Sequence, residues 1–186
     1  DSEDLGGIPR ELACKEAARC FNCGCLAVNP SDMANMLYAY DAKIVTNQRV
    51  VSAKDFFGTY AKIQTVLHPG EVVTEIVVPP VKSGTAARYS KFRLRNAIDF
   101  AVVAVASAVR CDETGVVTDA SLVLGAVAPV ARRCEKAEQY LIGKKLDADT
   151  AAKAADLCLE GAIPLDCNQY KIDVTRTLVR RTLLGE

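Results

Sequence analysis

Apolar positions follow a helical period near both ends of the chain and a strand period through its middle. After Pro30, Met33, Met36, Leu37 and Tyr40 recur at the i, i+3, i+4, i+7 spacing of one helix stripe. Ser31 is the natural N-cap, and Asp32 falls in the first turn. Residues 11–19, rich in Ala, Glu and Lys, predict an earlier helix. Two short β-rich runs, 42–46 and 49–52, are joined at Asn47-Gln48 as a hairpin, and 53–57 reads as a brief helix. Pro69-Gly70 marks a turn, after which residues 71–78 form a strand closed by Pro79-Pro80.

Beyond the flexible joint at Lys82-Ser-Gly-Thr85 the alternation is stronger. Tyr89, Lys91, Arg93 and Arg95 point one way and Ser90, Phe92 and Leu94 the other, giving residues 88–95 a basic face. Residues 100–109 are apolar on both faces and β-branched at Val102, Val103, Val105 and Val109, as in a central strand, although the alanines leave a helix open. Asp112-Glu-Thr-Gly115 turns the chain into 116–126, making a long antiparallel pair. Helices are predicted at 131–142, at 151–159 behind Asp147 and Asp149 as cap candidates, and at 170–184. Strands, then a hairpin, then helices predict an α+β fold: a small mixed or antiparallel-sheet subdomain, followed by an α+β sandwich with C-terminal helices. The expected division is 1–29 as linker and cysteine-rich loop, 30–82 as the first subdomain and 83–186 as the second.

Lys and Arg number 23, as do Asp and Glu, in 186 residues. This balance argues against a nucleic-acid or anionic-membrane surface. No apolar run reaches the ~18 residues of a spanning helix, and the amino end is acidic where a signal peptide is basic. A soluble, cytoplasmic protein is expected. The lack of an initiating Met suggests a piece of a longer polypeptide.

Of eight cysteines, Cys14, Cys20, Cys23 and Cys25 lie within twelve residues, with Gly24 in the tightest part. Several sulfur ligands at short spacing can converge on an iron–sulfur cluster or on zinc. The C-x2-C-x-C step leaves both open, together with free thiols. Cys111, Cys134, Cys158 and Cys167 are scattered and read as small buried hydrophobes. His68 has no Ser, Cys or Asp spacing around it that forms a triad, so hydrolytic chemistry has no support. Met33 and Met36 read as core residues.

Three stretches together resemble the flavoprotein subunit of the molybdenum hydroxylases, the group of xanthine dehydrogenase and carbon monoxide dehydrogenase. Pro30-Ser-Asp32 with its helix, Asp41-Ala-Lys-Ile-Val, Asp55-Phe-Phe57 and Pro69-Gly-Glu71 resemble the second half of that family's FAD-binding domain. Ser90-Lys-Phe-Arg-Leu-Arg-Asn-Ala-Ile-Asp99 with its hairpin, and Tyr140-Leu-Ile-Gly-Lys with the last helix, are similar to its C-terminal α+β domain. The resemblance implies that Asp32 approaches the flavin ring, that Lys91 lies close to the FAD, and that Gly24 keeps one position of a Gly-Gly-Asn segment. The family's glycine-rich phosphate loop has no counterpart here, which makes the FAD site incomplete. Glu16-Ala-Ala-Arg-Cys20-x-x-Cys23-Gly resembles the cysteine segments of flavoproteins related to the small subunit of glutamate synthase.

Two functions follow from these resemblances. The first is the C-terminal part of a flavin-dependent oxidoreductase, relaying electrons between NAD(P)H-reduced flavin and an acceptor through an iron–sulfur cluster held by Cys20, Cys23, Cys25 and Cys14. Its implied partners are an upstream nucleotide-binding module of the same polypeptide and a molybdenum-containing subunit. The second is a cofactor-free domain that forms a homodimer or docks a subunit.

Overall fold

The computed structural model of the protein describes residues 30–60, 63–95 and 99–186. The helices are α1 (Pro30–Ala39), α2 (Ala53–Phe56), α3 (Glu135–Leu141), α4 (Ala148–Cys158) and α5 (Tyr170–Leu184). The strands are β1 (Lys43–Thr46), β2 (Val50–Ser52), β3 (Phe57–Tyr60), β4 (Ile63–Thr65), β5 (Val73–Val77), β6 (Thr85–Phe92), β7 (Val103–Cys111), β8 (Val117–Gly125) and β9 (Arg132–Arg133).

The centre is an antiparallel sheet in the order β6-β7-β8-β9. β7 is a strand and not a helix because both of its faces are covered, which suits β-branched side chains on alternate positions. Residues paired across an antiparallel sheet share a face. Ser90, Val105, Leu124 and Arg132 therefore form one row, and Lys91, Ala104 and Gly125 the neighbouring row on the opposite face. The first face, with Val105, Val109, Leu122 and Leu124, is sealed by Leu141, Ala151, Ala155, Val179 and Leu183 of α3, α4 and α5. The second, with Ala106 and Val123, is covered by Ala39, Met36 and Tyr38 of α1.

The α+β expectation thus holds, with the long hairpin as β7 and β8 and the last helix at its predicted bounds. Asp147 caps α4 by accepting the N–H of Thr150. α5 ends at Gly185, whose φ of 81° is the left-handed conformation of a helix C-cap. Arg88 of β6 reaches this end and donates to the carbonyl of Leu183 at 2.9 Å, placing a cation at the negative pole of the helix.

Three predictions need correction. Helix α1 begins at Pro30, so Ser31 lies within it, and Met33 is 58% exposed. The buried stripe of α1 is instead Ala34, Asn35 and Ala39. Small side chains face the sheet there because the opposing row is Ala104, Ala106 and Gly125, which lets the helix approach closely. Residues 132–133 pair with β8 as β9 before α3 starts, shortening the helix predicted over 131–142. Among the scattered cysteines Cys134 and Cys158 are buried and Cys111 is half-buried, but Cys167 is exposed.

Residues before β6 carry two further sheets, β2-β1-β5 and β3-β4, all antiparallel. The predicted hairpin at Asn47-Gln48 joins β1 to β2, while β3 and β4 were not foreseen. Glu71 ties the first of these sheets together. Its buried carboxylate accepts Thr46 Oγ1 at 2.8 Å, Arg49 Nε at 2.8 Å and the backbone N–H of His68 at 2.8 Å. The Arg49 guanidinium, ahead of the His68 N–H, holds the Glu71 carboxyl at about 2.

Candidate functional site

On the α1 side of the central sheet, Asp32, Tyr89 and Lys91 meet. Asp32 is in the first turn of α1, where a carboxylate is favoured by the helix dipole. Tyr89 and Lys91 are two residues apart on β6 and so project to the same face. Lys91 Nζ donates to Asp32 Oδ2 at 2.7 Å, and the Tyr89 hydroxyl donates to Asp32 Oδ1. The Lys91 side chain is 14% exposed and that of Asp32 34%, so the pair lies at the margin of the helix–sheet contact and opens to one side.

The phenol of Tyr89 is held well above the ordinary tyrosine range by burial, then by its hydrogen bond to Asp32 and by that residue's negative charge. It therefore stays a hydrogen-bond donor under all physiological conditions. Asn35, one turn of helix beyond Asp32, is fully buried, and its side-chain nitrogen and oxygen have no hydrogen-bond partner among the described residues. Below it Gly125 leaves the necessary room. A Cβ at that position would stand 2.0 Å from Asn35 Nδ2.

The second end of α1 is pinned by charge. Asp41, in the left-handed region at φ 51°, accepts Arg133 Nη1 at 2.5 Å. Arg133 also lies over the Tyr38 ring and donates from Nε to Glu138 at 2.9 Å. These contacts hold α1 in register over the sheet at one end, while Asp32 holds it at the other.

Asp32 and Lys91, expected on the family resemblance, are thus brought into direct contact. The alternation of β6 placed Tyr89 on the face of Lys91, but its bond to Asp32 was not anticipated, nor were Asn35 and Gly125. The basic row does not continue: β6 ends at Phe92, and Arg95 turns back to pair with Asp99 at 3.1 Å. Gly24, Cys14, Cys20, Cys23 and Cys25 lie outside the described residues. Among the described residues no three His, Cys, Asp or Glu are grouped as a metal site would require, and no helix is long and apolar enough to cross a membrane.

The unit is an α+β one: an antiparallel meander backed by three helices, with an acidic helix start over its other face. The chain belongs to the family of the CO dehydrogenase flavoprotein C-terminal domain, which matches residues 87–185. It is 30% identical over 161 residues to the 6-hydroxypseudooxynicotine dehydrogenase complex subunit alpha of Paenarthrobacter nicotinovorans, covering 82% of this chain and 53% of that one. It is 32% identical over 167 residues to the aldehyde oxidoreductase FAD-binding subunit PaoB of Escherichia coli K12, covering 86% and 48%. Among solved structures, carbon monoxide dehydrogenase from Hydrogenophaga pseudoflava lacking the Mo-pyranopterin moiety superimposes with a TM-score of 0.76 at 30% identity, over 86% of this chain and 57% of that one. The chain therefore spans about half the length of the curated relatives it matches.

Proposed function

We propose that this chain is the C-terminal half of an FAD-binding subunit in an oxidoreductase of the molybdenum-hydroxylase type, and that Asp32, Tyr89 and Lys91 form the protein's edge of the flavin site. The observation that carries this is the ion pair between Asp32 and Lys91, two positions that the family resemblance assigns independently to the flavin's surroundings. The FAD-binding subunit among the relatives supports the same cofactor.

The residues fit part of such a group. A carboxylate and a cation, gathered at an open margin beside a phenol whose one O–H is already given to Asp32, offer an acceptor and a donor to a polar heterocycle edge. Phosphate groups would be held by another part of the polypeptide, since a diphosphate needs a run of backbone N–H groups. FAD, when bound, supplies the electron-transfer chemistry. This chain's residues orient its edge: Lys91 contributes positive charge near developing negative charge, and Asp32 orients both Lys91 and Tyr89. Relay from NAD(P)H, through iron held by Cys14, Cys20, Cys23 and Cys25, extends the proposal on the resemblance of the cysteine segment to glutamate-synthase-type flavoproteins alone. A molybdenum-containing subunit as electron partner extends it on the relatives.

In the flavin-loaded protein, Lys91→Met should lower the flavin midpoint potential by tens of millivolts, and Asp32→Asn should raise it, with both changing the visible flavin spectrum. A spectrum and potential unchanged in both variants would sink the assignment. Iron analysis of anaerobically prepared protein and of Cys23→Ser tests the cluster separately.

A second reading, an interface domain without cofactor, is favoured by one feature. Strand β5 is exposed along its length, with Ile76 and Val77 beside the exposed Val72, Val78 and Val81. Apolar surface on this scale marks a contact with another chain or segment. A flavin-free preparation that assembles as tightly as a loaded one would select this reading.

A further inference from the structure

On the helical side of the central sheet, away from Asp32 and Lys91, a cavity of about 150 Å³ opens between β8, β9, the chain after α4 and the start of α5. Its walls are apolar and polar in similar measure: Leu124, Ile163 and Ile172 make the apolar part, and two cations line it, Arg132 and Lys171. Among the described residues no Asp or Glu lines it. Arg132 shares a face with Leu124 because the two are paired across β8 and β9.

Several basic side chains around this end of the molecule have carboxylate partners: Arg133 with Glu138, Lys136 with Glu160, and Arg176 with Asp156 and Asp173. Arg132 and Lys171 form no ion pair among the described residues, and each bonds instead to a main-chain carbonyl. Arg132 Nη2 donates to Glu160 O at 3.3 Å, and Lys171 Nζ donates to Ala126 O at 3.0 Å. Ala126 adopts φ 61°, a left-handed conformation that is strained for a residue with a Cβ. The strained turn presents the carbonyl that anchors the ammonium. One bond to a carbonyl leaves a lysine two further N–H donors. Two like charges lining one partly enclosed pocket repel, and an anion between them removes that repulsion.

We infer that this cavity is a binding site for a small organic monocarboxylate with an aliphatic tail, its carboxylate held between Arg132 and Lys171 and its tail against Leu124, Ile163 and Ile172. Inorganic anions lack the tail that the apolar wall accepts, and amines of the same length carry the wrong charge. The site is separate from the one assigned to flavin and lies on the other face of the sheet.

Titration of the full 186-residue chain with hexanoate, followed by amide chemical shifts in NMR, tests this. Hexanoate should move the signals of Ile163, Lys171 and Ile172 saturably, with hexylammonium and inorganic phosphate leaving them in place. Lys171→Met, which keeps the aliphatic stem, should weaken binding about tenfold through loss of one charge-assisted hydrogen bond. Ala162→Trp, which fills the opening, should abolish it while leaving the signals around Asp32 unmoved. Absence of saturable shifts with hexanoate in the unmodified chain, or an equal response to hexylammonium or to phosphate, overturns the inference without reference to either variant.

Discussion

The carboxylate of Glu138 accepts the backbone N–H of Leu122 at 2.8 Å, at the place on β8 where the two-residue strand β9 has run out. A side chain from α3 thereby completes a ladder that the sheet's edge strand leaves unfinished, and it joins the helical layer to the sheet by a polar bond inside an apolar contact. Burial pushes the Glu138 carboxyl above its ordinary range, against the opposing effects of the Leu122 N–H and of Arg133. Replacement by Ala would strip an acceptor from a buried N–H and from Arg133 Nε together. Glu138→Ala is expected to lower stability by roughly 1.5–3 kcal/mol, the range for hydrogen bonds to charged groups. Urea unfolding of the two proteins checks this, and an equal midpoint would refute it.

Glu71 predicts a pH dependence. Its carboxyl is held at about 2, against an ordinary value of 4.5, by Arg49 and the His68 N–H. A depressed acid pKa contributes stability that is fully present above 4.5 and is lost as pH falls toward 2. Glu71→Gln should therefore melt below the parent protein at neutral pH, and the gap should close as pH is brought down to about 2. A gap that stayed constant across this window would show that the carboxylate's charge is irrelevant to the β1–β5 sheet.

Gly125 and Asn35 should fail to add. An alanine Cβ at 125 would stand 2.0 Å from Asn35 Nδ2, so Gly125→Ala forces α1 outward at a cost of about 1–3 kcal/mol. Asn35→Ala removes the obstructing amide, leaving room for the new methyl. The double variant should be more stable than the sum of the two single changes implies, by at least 0.5 kcal/mol or so. Strict additivity in a denaturant series would mean that α1 does not rest on Gly125.

Asp32 raises the pKa of Tyr89 by accepting its proton bond and by its charge. In an alkaline titration followed by the tyrosinate absorbance, Tyr89 should be among the last of the six tyrosines to ionise, identified by comparison with Tyr89→Phe. Asp32→Asn should bring that transition down. An unchanged titration would separate the two side chains in solution.

Much of the architecture could be read from periodicity, and the parts that could not have a common cause. The turn at Asp112 to Gly115 and the bounds of α5 depend on neighbours in sequence, and local pattern sufficed, whereas for β7 it left a helix open and for α4 it left Asp147 and Asp149 both as caps. The buried face of α1 depends on what lies beneath it. Met33 and Leu37 look like the natural core stripe, yet Ala34, Asn35 and Ala39 are the residues turned inward, because Ala104, Ala106 and Gly125 of distant strands demand a thin helix face. Likewise Asp32 and Lys91 were singled out one at a time by resemblance. Their contact, 59 residues apart in sequence, needs the packing of α1 on β6 to exist. Strands β3, β4 and β9 are four residues or fewer and lack a turn signal such as the Asn47-Gln48 that marked the equally short β1 and β2.

Helix α1 precedes the exposed stretch at 78–84, yet it rests on the sheet that follows that stretch. A protease admitted at Pro79 to Gly84 would cut the backbone without parting the halves. The shorter piece would remain bound through Ala39, Met36 and Tyr38 and through Asp41 at Arg133, and the two would travel together through a sizing column until denaturant released them.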